Sequence, residues 1–411
     1  MSARASRFRA EKEGFVRVKI LFLSWAYPKG NTPYLGIWAH QQALALTALG
    51  AEVEVVSTVP FIPKVAGRIS AKIKKYSQIP KRETLDGVTV YHPKFLRAVP
   101  GSMLDRLLFQ VTGWQSRMVI SNLEKALEIR EFQVIHAHNL FPDGATAYLL
   151  SQKYGIPYVI TLHDVDKYNS IADKGMLKAL SRHILGHAKK VFGVSSRVKN
   201  HILSQVPEQR IDLLYNTFWT DNDHGRKTGK SKKIVTIASL IERKGIEYLI
   251  RAFHKVALCD EEYELVVIGN GYEWDKLTRL AARLGLQSRV KFEGILSHLE
   301  AMEQLSDASI FCLPSWDEAF GVVYAEAMSY GIPVIGCKGE GIGDLVSHRS
   351  NGMLVEPRSV EELADALSYL MINAAEAERI GERGRESIKE LRPGLFGERL
   401  LKQYREILSI G

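Results

Sequence analysis

The residues best suited to chemistry by type and spacing lie in the second half of the chain. In SWDEAFGVVYAEAMSYGIPVI (315–335), Glu318 precedes a segment of apolar and small residues, Gly321 to Tyr330, that keeps a single carboxylate, Glu326. Its neighbours at helical spacing are Val322, Val323, Ser329 and Tyr330, none of which can neutralise it. Burying an unpaired carboxylate costs several kcal/mol, so its partner must come from elsewhere in the fold or from a ligand. CLP ends a strand, SWDEA is loop, and the helix opens at about Phe320–Gly321. The N–H groups around Phe320, Gly321 and Val322 then have no intrahelical acceptor, and such an end attracts phosphate. Gly321 permits close backbone approach. Glu326 lies about 12 Å beyond Glu318 by helical rise, a span that suits the two ends of an elongated ligand. A nucleotide-diphosphate sugar has that layout, with hydroxyls at each end and phosphates between. The plainer alternative makes Glu318 a helix-dipole partner and Glu326 a structural acid, and these residues alone do not separate the two.

The elements that must position these groups alternate along the chain. Apolar runs at VKILFLS (18–24), VEVVST (53–58), VIHAH (134–138), PYVITLHD (157–164) and KVFGVS (190–195) are separated by periodic helical stretches such as 36–49 and 174–187. Strands apolar throughout and joined by helices imply a parallel sheet covered on both faces. The polar stretch TDNDHGRKTGKSKK (220–233) reads as a linker. The pattern then restarts with KIVTIAS (233–239), YELVVIG (263–269), RVKFEG (289–294), ASIFCLP (308–314) and PVIGC (333–337). The expected fold is α/β, with two doubly wound Rossmann-like domains facing across a cleft and binding ligand at the carboxyl ends of their strands. The predicted boundaries are 1–217 and 218–393, with the final helix, 394–411, carrying Phe396, Leu400, Tyr404 and Ile407 and packing back on the first domain.

Bulk properties agree with two domains. A chain of 411 residues with 46% apolar content has material for two cores. Cys259, Cys312 and Cys337 lie in or beside apolar runs, without paired or CxxC spacing, and read as free thiols in a reducing compartment. The basic start has too short an apolar core for a signal peptide, and no apolar run reaches the ~18 residues that span a bilayer. A cytoplasmic protein is expected. The net charge of +9 is divided unevenly: residues 1–219 hold 30 Lys and Arg against 16 Asp and Glu, and residues 220–411 hold 25 against 30.

EAFGVVYAEAMSYGIPVI resembles the E-x7-E block of retaining glycosyltransferases of family 4 (glycosyltransferase group 1), which have the GT-B fold. Other segments agree in order: GIWAHQQALALTALGAEVEVV (36–56), VIHAHNLFPDGATAYLLSQKYGIPYVITLHD (134–164), GVSSRVKNHI (193–202) and LLYNTF (213–218) in the first half. ASLIERKGIEYLIRAF (238–253), LVVIGNGYEWDKL (265–277) and NGMLVEPRSVEELADAL (351–367) continue it in the second. The resemblance implies that Glu326 binds the ribose hydroxyls of a nucleotide and Glu318 touches the donor sugar near its reacting carbon. It implies that the N–H groups around Phe320, Gly321 and Val322 hold the diphosphate, which Lys244 neutralises as it leaves. Gly36 would let the first loop approach the phosphates, and His163 would contact the sugar. Ser239, Arg243, Asn270 and Gly271 fall in the same donor-binding segments. The chain departs from the family at Ala238-Ser239, where Gly-Arg is common; Arg243 is placed to supply the missing cation. It departs again at YLGIW, where a single glycine stands for two.

Other motifs weigh less. His136 and His138 share one face of a strand at a spacing that can serve a metal, but no third ligand stands nearby, so a hydrogen-bonding role is expected and no metal is assigned. Asp164 could orient His163 or bind acceptor. GEGIGDL (339–345) begins another helix after a strand and resembles the family's sugar-holding loop, with Asp344 where an acid is usual; a plain strand-to-helix turn explains its glycines equally well. PKVAGRISAKIKKYS pairs Val65, Ile69, Ile73 and Tyr76 with Lys64, Arg68, Lys72 and Lys75. This amphipathic basic pattern, with FLRAVPGSMLDRLLFQVTGW (95–114) behind it, suits an anionic membrane surface presenting a lipid-linked acceptor, or a solvated helix.

The expected reaction is transfer of a sugar from a nucleotide-diphosphate sugar to a hydroxyl of a lipid-linked or oligosaccharide acceptor in cell-surface polysaccharide biosynthesis, with the retained anomeric configuration that the resemblance implies. No cofactor or metal is expected, and the site of action is the cytoplasm or the inner face of the plasma membrane. A GT-B enzyme that does not transfer, such as a nucleotide-sugar epimerase, is the rival. A basic peripheral membrane or nucleic-acid-binding protein ranks below both, because the E-x7-E block would be unexplained and aromatics are not interleaved with the lysines as single-strand binding favours.

Overall fold

The computed structural model describes residues 17–30, 32, 35–61, 78–95, 112–164, 176–218, 231–257 and 260–409. The chain divides into two compact units, Met1–Thr217 with Pro393–Gly411, and Phe218–Arg392.

In the first unit the strands are β1 (Lys19–Leu23), β2 (Glu52–Val56), β3 (Val59–Pro60), β4 (Arg82–Leu85), β5 (Val88–Tyr91), β6 (Lys94–Phe95), β7 (Val134–His138), β8 (Tyr158–Leu162), β9 (Lys190–Gly193) and β10 (Asp212–Leu213). Eight of them form a sheet in the order β10-β9-β8-β7-β1-β2-β5-β4, while β3 and β6 pair separately. β7 and β8 are buried along their whole length, as central strands covered on both faces are. The chain runs outward from β1 through β2, then returns past β1 to build β7, so the loops after β1 and β7 flank a topological switch point.

The sheet is not wholly parallel. β4 pairs antiparallel with β5 through a tight turn in which Asp86 has φ 47° and Gly87 φ 87°. The Asp-Gly pair supplies the two left-handed residues that such a hairpin requires. The terminal helix Pro393–Ser409 lies against the helix Ile37–Ala48, and its Phe396, Leu400, Leu401, Tyr404 and Ile407 join the same core as Ile20, Ala43, Leu46 and Val134.

The second unit holds β11 (Lys233–Ile237), β12 (Glu264–Ile268), β13 (Val290–Gly294), β14 (Ile310–Cys312), β15 (Val334–Cys337) and β16 (Met353–Val355), all parallel in the order β13-β12-β11-β14-β15-β16. Here the switch point falls between β11 and β14, so the loops after those two strands are brought side by side. One expectation fails: after β15 the glycine-rich segment makes only a 3-10 turn, Gly341–Asp344. The chain then turns back through a bridge between His348 and Gly352 into β16, which leaves no room for a longer helix.

Cys312 and Cys337 are buried and free. No described helix is long and apolar enough to cross a membrane. The basic segment with Lys64, Arg68, Lys72 and Lys75 lies outside the described residues, as do Cys259 and most of the linker.

Candidate active site

The second unit gathers its predicted residues around the switch point. The loop after β11 ends in a 3-10 turn, Glu242–Lys244, and Gly245 at φ 70° opens the next helix. The loop after β14 runs through Ser315 to Gly321, whose φ of 74° caps the helix Val322–Ser329. Glycine is the residue that takes this left-handed conformation without strain. It has no side chain to cap the helix, so the first-turn N–H groups are left to another acceptor.

These two loops are fastened together. The Lys244 ammonium and the Glu318 carboxylate form an ion pair, their side chains 14% and 12% exposed. Ser315 Oγ donates to the same carboxylate at 3.3 Å. Arg243 Nη1 donates to the carbonyl of Asp317 at 3.1 Å, and Trp316 N–H donates to the carbonyl of Arg243 at 2.9 Å. The sequence offers Arg243 as one residue that could replace the missing phosphate cation; in the structure its guanidinium braces the loop that carries Glu318. From the other side, Glu340 Oε2 accepts from Glu318 N–H at 2.8 Å, and Gly341 N–H donates to the Glu318 carbonyl at 3.0 Å. A Cβ at Gly341 would lie 2.0 Å from the carbonyl oxygen of Ala319, so that contact requires glycine. Glu340 carried no signal in the sequence because its partner is a backbone group 22 residues away.

Glu326 is 6% exposed, as its neighbours predicted. Burial pushes its carboxyl up to about 7, partly offset by His298, whose Nε2 lies 3.9 Å from Oε1. That separation is too long for a hydrogen bond, so His298 eases the buried acid without satisfying it.

Asn270 and Gly271 pack against the loop after β11. Leu240 N–H donates to the Asn270 carbonyl at 3.0 Å, Asn270 Oδ1 accepts from Gly271 N–H at 2.6 Å, and a Cβ on Gly271 would meet the Leu240 carbonyl oxygen at 2.1 Å. Ser239 is exposed on the same loop, its carbonyl accepting from Ile241 N–H at 2.9 Å.

In the first unit, Gly36 at φ 71° caps the helix Ile37–Ala48, and a Cβ there would sit 1.6 Å from the carbonyl oxygen of Ala26. That contact fixes glycine at this position whatever the loop binds. His163, just beyond β8, is 8% exposed and stacks on Trp38 with ring centroids 3.5 Å apart. His138 Nδ1 meets His163 Nε2 at 3.0 Å, and His163 N–H donates to Asn139 Oδ1 at 3.1 Å. Both nitrogens of His136 are engaged, Nδ1 with the Tyr404 hydroxyl at 2.6 Å and Nε2 with Thr161 Oγ1 at 2.7 Å. Burial lowers all three imidazoles, His136 to about 3 and the other two well below their usual range, so all are neutral near pH 7. Among the described residues no group of three or more His, Cys, Asp or Glu could hold a metal ion.

Sequence reasoning missed the pairing of His138 with His163. It was legible in principle: β7 and β8 are adjacent parallel strands, with His138 opposite Thr161, so both histidines fall at the carboxyl ends of neighbouring strands. Also missed was the buried Lys29, whose Nζ donates to the carbonyls of Trp25 at 2.8 Å and Tyr27 at 3.2 Å and whose amine burial lowers to about 8. Nearby, both oxygens of the buried Asp143 accept from Trp25 N–H at 3.1 Å.

Comparisons with known proteins place these units. The family described as Glycosyltransferase Family 4 matches residues 35–221, and Glycosyl transferases group 1 matches residues 217–387. TuaC of Bacillus subtilis, provisionally named a teichuronic acid biosynthesis glycosyltransferase, is 27% identical over 368 residues, covering 85% of this chain and 88% of its own. Among solved structures, the sucrose-phosphate synthase of Thermosynechococcus elongatus superimposes with a TM-score of 0.75 at 20% identity, over 96% of this chain and 100% of that one. HepE of Anabaena, solved in complex with UDP-glucose, has a TM-score of 0.65 at 18% identity over 95% and 100%. The fold is GT-B.

Proposed function

This chain belongs to the group 1, family 4 glycosyltransferases, and on that premise we propose that it moves a sugar, with retention, from a nucleotide-diphosphate sugar to a hydroxyl of a lipid-linked or saccharide acceptor in polysaccharide or glycoconjugate biosynthesis. The observation that carries this reading is the ion pair of Lys244 with Glu318 at the mouth of the helix that buries Glu326. A donor diphosphate would draw Lys244 to itself and release Glu318 toward the sugar, while the N–H groups of Phe320, Gly321 and Val322 at the start of the helix take phosphate oxygens. Ribose hydroxyls would donate to Glu326 and so supply the hydrogen bonds that His298 does not. As the donor bond breaks, charge develops on the departing diphosphate, and a fixed cation with aligned N–H groups stabilises it most in that state. The solved neighbour that holds UDP-glucose supports a nucleotide sugar as the donor class. In the first unit, His163 would take a sugar oxygen. A membrane-presented acceptor is the part of the proposal that rests on the basic segment around Lys64, Arg68, Lys72 and Lys75 alone.

The test begins with a thermal-shift screen of UDP-, GDP- and ADP-sugars, since a ligand bound only by the folded form raises its apparent stability. With the donor found, release of nucleoside diphosphate is followed in Lys244→Ala and Glu326→Ala. Losing one such electrostatic group is expected to lower turnover by roughly a hundredfold or more. Unchanged donor turnover in either variant would refute the assignment, and product anomers read by NMR decide retention.

A further inference from the structure

The buried imidazole pair in the first unit has a hydrogen-bonding imbalance that fixes where its protons lie. One ring hydrogen is shared between His138 Nδ1 and His163 Nε2, 3.0 Å apart, and two nitrogens remain, His138 Nε2 and His163 Nδ1. Both are buried and have no hydrogen-bond partner among the described residues. Each ring is neutral, so each carries one hydrogen. If His163 donated, His138 would hold its own hydrogen on Nε2. That atom belongs to a fully buried residue faced by the rings of Phe22, with centroids 4.7 Å away, and His136, at 4.3 Å, whose two nitrogens are already engaged. Such a donor has no partner and belongs to a residue with no exposure, whereas His163 is 8% exposed, and orphaned buried N–H groups are rarer than under-satisfied acceptors. If His138 donates, the bare nitrogen stays at that closed position and the unmet N–H passes to His163, at the strand end.

We infer that His138 is a positioning residue: it donates from Nδ1 to His163 Nε2, sets His163 as the Nδ1–H tautomer, and holds its ring to offer a donor to a ligand oxygen. The ligand-facing half of this inference rests on the proposed contact of His163 with a sugar. Three constraints fix the ring: His138 at Nε2, Trp38 stacked on its face, and Asn139 on its backbone N–H. An N–H at Nδ1 selects an oxygen lone pair, as on a sugar hydroxyl, and disfavours an amine or a cation.

Long-range proton–nitrogen correlation spectra of the 15N-histidine-labelled, ligand-free protein read the tautomers directly. The expected spectrum shows protonated-type Nδ1 and bare-type Nε2 for both His138 and His163. A protonated Nε2 on His163 overturns the inference, and this reading needs no variant to fold. His138→Asn keeps a donor near the Nδ1 position and is expected to retain both the His163 tautomer and most of the nucleoside diphosphate release. His138→Leu removes the donor; the His163 Nε2 signal should shift toward the protonated type, with turnover lower by about tenfold or more, the equivalent of one hydrogen bond. An unchanged His163 spectrum in His138→Leu overturns the positioning role. If the tautomer is as expected but His163→Ala turns over donor normally, the sugar contact fails, and with it the ligand-facing half of the inference.

Discussion

Glu326 shows how one residue can be worse for the fold than its replacement and still be kept. Its carboxyl is raised from 4.5 to about 7, first by burial, with His298 acting against that. An acid raised in the folded chain keeps its proton where the unfolded chain has lost it. The stabilising difference is therefore whole below about pH 4.5, declines as pH rises, and is gone above pH 7. Integrated over that interval it amounts to roughly 3 kcal/mol. Glu326→Gln, which cannot ionise, should be nearly as stable as the natural chain at low pH and more stable at pH 8 by up to roughly 3 kcal/mol. Urea unfolding curves at pH 5 and pH 8 measure the difference, and parallel pH dependences in the two proteins would refute it. Donor affinity in the natural chain should move the opposite way, strengthening through pH 7 as the carboxylate becomes free to accept ribose hydroxyls. A residue that costs stability at working pH and strengthens binding there fits a ligand site better than a structural acid.

At the scale of elements, the loops are built by collisions avoided. Gly36 and Gly50 both have left-handed φ, 71° and 87°, but a Cβ at Gly36 would penetrate the Ala26 carbonyl while one at Gly50 meets nothing within 4 Å. Gly50→Ala should cost only the conformational penalty, about 1–2 kcal/mol. Gly36→Ala must move backbone as well and should cost upwards of about 3 kcal/mol. Denaturant unfolding of the two variants makes the comparison, and equal losses would show that φ alone matters. A drop in activity in Gly36→Ala would accordingly say little about phosphate contact. Strands such as VIHAH and YVITL were readable because a short, largely apolar run between helical stretches has few other ways to fold. The Arg82–Tyr91 hairpin was passed over although Asp86-Gly87 marked it, since its strand residues are polar on one side. The ion pair of Lys244 with Glu318 spans 74 residues, and only the strand order brings the two loops together. The resemblance named both residues but gave no sign that each is the other's partner.

At the scale of the whole molecule, the first unit draws part of its core from a segment far along the chain. Its last helix places Phe396, Leu400, Leu401, Tyr404 and Ile407 in the core built on β1, β2 and the helix Ile37–Ala48. At about 1.5–3 kcal/mol for each buried apolar side chain, these five contribute on the order of 10 kcal/mol. A domain's whole stability is about 5–15 kcal/mol, so a chain ending at Arg392 should leave the first unit unfolded. The same helix supplies the Tyr404 hydroxyl to His136, whose ring stacks on His138 at 4.3 Å, so its loss also uncovers the layer beneath the imidazole pair. Tyr404→Phe isolates that polar contact from the packing and should cost about 1–3 kcal/mol, because it leaves a buried ring nitrogen unmet. The helix is grouped with the first unit, and the second unit is Phe218–Arg392. Limited proteolysis of the chain truncated after Arg392 should therefore digest residues 1–217 and spare a fragment close to 218–392. Protection of the first unit equal to that in the full chain would show that its core closes without the final helix.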